Sequence, residues 1–80
     1  MSKHDELLAL FREVAEALEH RTFPDLTSDS PIADLGIDSL SVMQIVGELE
    51  DRLAIMIPEE RLVAVTTVGD LLRVVESLQV

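Results

Sequence analysis

The sequence predicts an all-α fold: a small helical bundle of three main helices plus one short helix, with a long loop between helices one and two. Three observations carry this. Apolar residues recur at i, i+3, i+4 and i+7 in three separate segments. No segment sustains the alternating period of a half-buried strand. Proline, glycine and small polar residues concentrate between Arg21 and Asp38, the composition of a connection. At 80 residues the chain is one domain, 1–80, near the lower size limit for independent folding, and it buries only roughly 60% of its unfolded surface.

The first helix is expected over about 3–19. Leu7, Phe11, Val14 and Leu18 form its apolar stripe, with Leu10 and Ala15 beside them, and Ser2 is placed to cap it with Asp5 three residues on. In the long loop that follows, Phe23, Leu26, Ile32 and Leu35 are spaced as apolar pins, and Gly36 supplies the positive φ that turns the chain into the next helix. The second helix, about 39–53, reads best by rotation from Val42 at 100° per residue. Val46, Leu49 and Leu53 then make the core stripe with Ile45 at its margin, whereas Leu40, Gln44, Gly47, Glu48 and Asp51 fall on the opposite side. Pro58, followed by Glu59 and Glu60, opens a brief helix at about 59–64. Thr66 or Thr67 caps the last helix, whose apolar face is Val68, Leu71, Leu72, Val75 and Leu78.

Charge and composition exclude several function classes. Sixteen acidic residues against six Lys and Arg give a net charge of −10, which repels nucleic-acid phosphates and anionic lipid surfaces and favours basic partners. With no cysteine there is no disulfide framework, in keeping with a reducing, cytoplasmic setting. The longest apolar run, Leu53 to Ile57, is far too short to span a bilayer. The N-terminal segment has no signal-peptide pattern, the start at Met1 is that expected of a free-standing protein, and a monomer is expected. The aromatics are Phe11 and Phe23 alone, so the core is aliphatic, pliable enough to shelter a chain between the helices.

The residues that invite a chemical reading are Asp38-Ser39-Leu40, within "DLGIDSL". Asp38 is explained as the cap of the second helix. Ser39 as a catalytic nucleophile needs a base and an orienting third group. The only histidines, His4 and His20, flank the first helix and read as solvated helix-end residues, and no Gly-x-Ser-x-Gly elbow is present. Asp25, Asp29, Asp34 and Asp38 miss the spacing of a calcium loop, and the three glycines are too scattered for a phosphate-binding loop. No catalytic and no metal-binding residues are therefore assigned. Capping leaves two features unexplained: an outward Leu40 beside Ser39, and a surround of seven acids between Asp34 and Glu60 against Arg52 alone.

"LGIDSL" at 35–40, "IPEE" at 57–60 and "TTV" at 66–68, in a short acidic chain with this order of helices, resemble the acyl carrier proteins over nearly the whole length. The resemblance implies a non-enzymatic carrier domain whose Ser39 bears covalently attached 4′-phosphopantetheine, derived from coenzyme A. The arm brings the thiol, so the chain needs neither cysteine nor histidine of its own. The implied partners are a phosphopantetheinyl transferase and acyl-loading and synthase enzymes with basic docking surfaces. Asp38, Leu40, Gln44, Gly47, Glu48, Glu50 and Asp51 are the implied recognition residues. Two positions depart from the usual fatty-acid carriers: Gln44 stands where many have glutamate, and Gly47 where many have a larger apolar residue. These departures point to polyketide or related secondary-metabolite biosynthesis. A fatty-acid carrier, a free-standing aminoacyl or peptidyl carrier, and an unmodified acidic helical adaptor that binds a basic partner remain the alternatives.

Overall fold

A computed structural model describes residues 2–79; the two terminal residues of the expected 1–80 domain lie outside the described range. Among the described residues four helices follow one another: α1 (Lys3–Glu19), α2 (Ser39–Leu53), α3 (Glu59–Leu62) and α4 (Val68–Leu78), with a 3-10 turn at Ile32–Leu35. α1 packs against both α2 and α4. The all-α bundle with a long first connection is the architecture the sequence predicts.

Helix starts are set by local side chains. The Asp5 N–H donates to Ser2 Oγ at 3.1 Å and caps α1. At α4 the capping box is complete: the Asp70 N–H donates to Thr67 Oγ1 at 3.0 Å and the Thr67 N–H to Asp70 Oδ2 at 3.1 Å. The Asp70 carboxylate also accepts the Thr66 hydroxyl, 2.8 Å, and pairs with Arg73. These hydrogen bonds, the one from the Thr67 backbone first, hold the Asp70 carboxyl well below its usual range. Its folded value lies below the unfolded 3.8, so its contribution to stability is complete above that value and is lost as the pH falls through the folded value. Melts between about pH 5 and pH 2 are expected to show the gap between the parent and Asp70→Asn closing toward the acid end. A gap that stayed constant would contradict this origin of the stability.

The core is aliphatic, as the composition requires. Val14, Ile45, Leu49, Val68, Leu71, Leu72 and Val75 are its largest fully buried side chains, and Phe11 and Phe23 are buried with them. Leu18, expected on the α1 stripe, is 39% exposed, and details of α2 and α3 also differ from the expectation. Ile45, expected at the margin of the α2 stripe, is at its centre with Val46 and Leu49, and Val42 and Leu53 are half-buried flanks. Rotation from Val42 placed the stripe about one residue off, because the buried line is set by where the other helices meet α2. The short helix ends at Leu62 rather than about 64.

The long loop is pinned by its own side chains and runs back along α1. Phe23 N–H donates to Glu16 Oε2 at 2.8 Å, Arg12 Nη2 to the Leu26 carbonyl at 2.7 Å, and His4 Nε2 lies 3.0 Å from Ser28 Oγ. Phe23 and Leu26 are buried, and Ile32 and Leu35 half-buried. The loop then joins the start of α4 through three backbone bonds: Ile32 N–H to Thr66, 2.9 Å, Val68 N–H to Ser30, 2.9 Å, and Gly69 N–H to Ser28, 2.7 Å. His4, expected to be solvated, is half-buried, bonded to Ser28 and 4.0 Å from Glu76 of α4. His20 is exposed and ends α1 in the left-handed conformation, φ 57°.

Candidate functional site

The turn that delivers Ser39 is built by three consecutive residues. Gly36 ends the 3-10 turn at φ 71°, in the left-handed region that glycine enters without a Cβ penalty. Ile37 is buried and anchors the chain to the core. Asp38 then caps α2: its Oδ1 accepts the Ser41 N–H at 2.8 Å, and its carbonyl accepts the Val42 N–H at 2.9 Å. The Ser41 backbone hydrogen bond is the main cause holding the Asp38 carboxyl below its usual range. Asp38 is therefore a fixed negative charge beside an exposed Ser39, which is the first residue of the helix.

Two apolar features meet at this serine. On the outer side, Leu40 is 71% exposed, as rotation predicts, and Met43, one helical turn on and 46% exposed, borders the cavity as well. On the inner side, Ser39 sits at the rim of a cavity of about 520 Å³ lined by Ile37, Val42, Val46, Leu62 and Leu71. Its walls are the 3-10 turn, α2 and the segment running from α3 to α4.

The expected recognition residues divide into two sets. Leu40, Gln44 and Asp51 are exposed, and a Cβ at Gly47 would meet nothing within 4 Å, so the outer face of α2 is open there. The glutamates are engaged internally. Glu48 Oε2 accepts from Arg52 Nε at 2.9 Å, while Arg52 Nη1 reaches Glu13 of α1, also at 2.9 Å. Glu50 Oε2 accepts the Ile57 N–H at 2.7 Å, and the Glu50 carbonyl accepts the Ile55 N–H at 3.1 Å, so Glu50 shapes the chain after α2. Among the described residues, Asp51 alone of the three α2 acids has no such partner. Also among the described residues, no three His, Asp or Glu side chains converge as a metal site, and no helix is long and apolar enough to cross a membrane.

Sequence reasoning passed over Arg21. Its Nη2 donates to the carbonyls of Leu35, 2.6 Å, and Gly36, 3.1 Å, and its guanidinium lies 4.5 Å from the centroid of the Phe23 ring. No periodicity marks it, because the contact spans 14 residues of irregular chain.

A serine exposed at a helix start and at the rim of an apolar cavity is open to covalent modification by another protein. Residues 5–75 match the family described as the phosphopantetheine attachment site. An acyl carrier protein of Sulfurovum sp. (strain NBC37-1) is 37% identical over 75 residues, covering 89% of this chain and 100% of that protein. The meromycolate extension acyl carrier protein of Mycobacterium leprae (strain TN) is 33% identical over 76 residues, 94% of this chain and 66% of that protein. The 3-methylorcinaldehyde synthase of Phoma sp. is 43% identical over 54 residues, 68% of this chain, which spans only 2% of that synthase. No solved structure matches. The chain is a phosphopantetheine-dependent carrier rather than a catalyst. It belongs to the acyl carrier protein family, whose prosthetic group is 4′-phosphopantetheine.

Proposed function

We propose that the chain is a single carrier domain that acts in the cytoplasm, and that Ser39 is its attachment residue. The observation that carries this is the position of Ser39, exposed at the start of a 15-residue helix and at the rim of the apolar cavity. A phosphodiester on Ser39 Oγ would stand at the helix end where free N–H groups and the helix dipole favour negative charge. In the attachment step Ser39 Oγ forms a bond to the phosphopantetheine phosphorus of coenzyme A, adenosine 3′,5′-bisphosphate leaves, and the serine proton passes to the transferase. When attached, the arm supplies a thiol that holds acyl groups as thioesters. Asp38 holds the first turn of α2 in place, and the cavity wall shields apolar cargo from water.

Incubation with coenzyme A, magnesium and a broad-range phosphopantetheinyl transferase, read by intact mass, tests the attachment. A gain of one arm supports the carrier; no gain favours the unmodified acidic adaptor. For the cavity, loading a long acyl chain is expected to shift the methyl resonances around Val46 and Leu71, which line it. Unchanged shifts would contradict sheltering.

Partner enzymes meet the outer face of α2. Basic docking surfaces suit the net charge of −10, but the engaged Glu48 and Glu50 leave Asp51 as the α2 acid best placed to attract a cation, beside Leu40, Gln44 and the open Gly47. Asp51→Asn is expected to raise the transferase KM by roughly 2- to 5-fold, since a rim charge mainly affects encounter. Leu40→Ala should lower kcat/KM on the order of 10-fold, as the loss of an apolar anchor does, with little change in Tm. Glu50→Gln should lower Tm and leave KM near the parent's. Leu40→Ala with a large loss of Tm and normal modification would put Leu40 on the wrong face.

For the pathway, Gln44 and Gly47 favour polyketide or related secondary metabolism over standard fatty-acid synthesis, and the likeness to a stretch of the Phoma synthase supports the same reading. The likeness to the mycobacterial meromycolate carrier supports the second reading, a fatty-acyl cargo. The acyl group found on protein isolated from its source discriminates the two.

A further inference from the structure

Arg21 stands just past α1 and reaches across the loop to the turn that precedes Ser39. Its Nη2 donates to Leu35 and Gly36, the last carbonyls around the 3-10 turn, which have no continuing helix to pair with. A Cβ on Gly36 would lie 3.2 Å from that nitrogen, so glycine at this position also admits the close approach. The other side of the guanidinium is held as well. It lies over the Phe23 ring within cation–π range. Phe23 is buried, and its N–H is bonded to Glu16 of α1. A continuous set of contacts thus runs from α1 through Phe23 and Arg21 to Gly36, and from there through Ile37 and Asp38 to Ser39.

We propose that Arg21 is a positioning residue for attachment at Ser39: it straps the Leu35–Gly36 turn to the end of α1 and so fixes where the Ser39 hydroxyl is presented. The proposal rests on the reading that Ser39 receives the arm. Three features support a role beyond general stability. The strap grips backbone carbonyls rather than side chains, so it fixes the path of the chain. It acts two residues before the α2 cap, at the left-handed Gly36, the most conformationally permissive point of the turn. And Arg21 itself is exposed, so little packing is lost with it.

An enzyme that transfers a group to a serine needs the hydroxyl in a near-attack position, and a displacement of about 1 Å can cost up to ~100-fold in rate. The expected signature is a fall in kcat. Loss of the Arg21 charge makes an acidic chain more acidic, which leaves encounter with a basic transferase unchanged or improved.

The test compares the parent, Arg21→Met, which keeps an unbranched apolar stem, and Arg21→Lys, which keeps the charge without the planar fork. Each is given coenzyme A, magnesium and the broad-range transferase, and kcat and KM are measured separately, together with Tm and amide exchange at Ile37 to Leu40. Arg21→Met is expected to lower kcat on the order of 10-fold with KM at or below the parent's and faster exchange at those amides, and Arg21→Lys to fall between. A parental kcat in Arg21→Met, whatever its Tm, overturns the proposal, as does a loss confined to KM. Where Arg21→Met does not fold, Arg21→Lys decides by the same kcat criterion. A parent that gains no mass removes the carrier reading itself, which is a different result from a parent and variant modified at equal rates.

Discussion

Ser39→Ala is expected to abolish attachment of the phosphopantetheine arm while leaving the bundle folded. The side chain is exposed and the cap of α2 belongs to Asp38, whose Oδ1 holds the Ser41 N–H at 2.8 Å. Removing one exposed hydroxyl at such a position costs within about 0.5 kcal/mol, so Tm should move by no more than about 4 °C in a domain of this size. The proposed attachment at Ser39 Oγ predicts a total chemical effect. The nearby Ser41 is engaged through its backbone in the cap and is half-buried. Retained attachment in Ser39→Ala would move the site elsewhere, and a collapse of Tm would show that the serine serves the fold.

Gly69→Ala is expected to be the most damaging of the single-methyl changes, and Gly47→Ala the opposite. Gly69 is buried in the first turn of α4, where its N–H donates to the Ser28 carbonyl at 2.7 Å. A Cβ there would lie only 2.8 Å from that same carbonyl oxygen and would also run into Ser28 Oγ. The hydroxyl could rotate away, at the expense of its contact with His4, but the carbonyl cannot. It belongs to the set of backbone bonds that ties residues 28–32 to 66–69. Overpacking of this kind costs about 1–3 kcal/mol, or a fall in Tm of at least roughly 4–8 °C. At Gly47 the added methyl meets open space inside a helix, and the better propensity of alanine is worth up to about 1 kcal/mol. Thermal melts of the two variants should therefore shift in opposite directions. A stabilised Gly69→Ala would show that the loop does not seat against α4 as described.

What was legible in the sequence is what local chemistry decides. Ser2 and Asp38 were recognisable as caps and the last cap was narrowed to Thr66 or Thr67; Ser2, Asp38 and Thr67 each accept the N–H three residues on. Leu40 was placed outward by helical rotation alone, and its 71% exposure agrees. The loop pins were legible because Phe23 and Leu26 are large apolar residues in a polar stretch. What was not legible depends on the path of that loop. His4 meets Ser28 across 24 residues and Arg21 meets Leu35 across 14, and no spacing rule encodes either contact. The two helical glycines look alike in the sequence, yet one faces open space and the other a carbonyl. The acids on α2 were also indistinguishable until Arg52 and the Ile57 N–H were seen to engage Glu48 and Glu50. The proposed site was thus legible through its serine and cap, while the different engagement of the α2 acids needed the three-dimensional structure.

The central claim is that the arm is carried by Ser39 and by no other residue. Fragmentation mass spectrometry of the parent after incubation with coenzyme A, magnesium and the transferase tests it most directly. The account predicts one arm per chain, localised to Ser39; an arm on Ser41 or any other residue, or a chain that takes none, would contradict it.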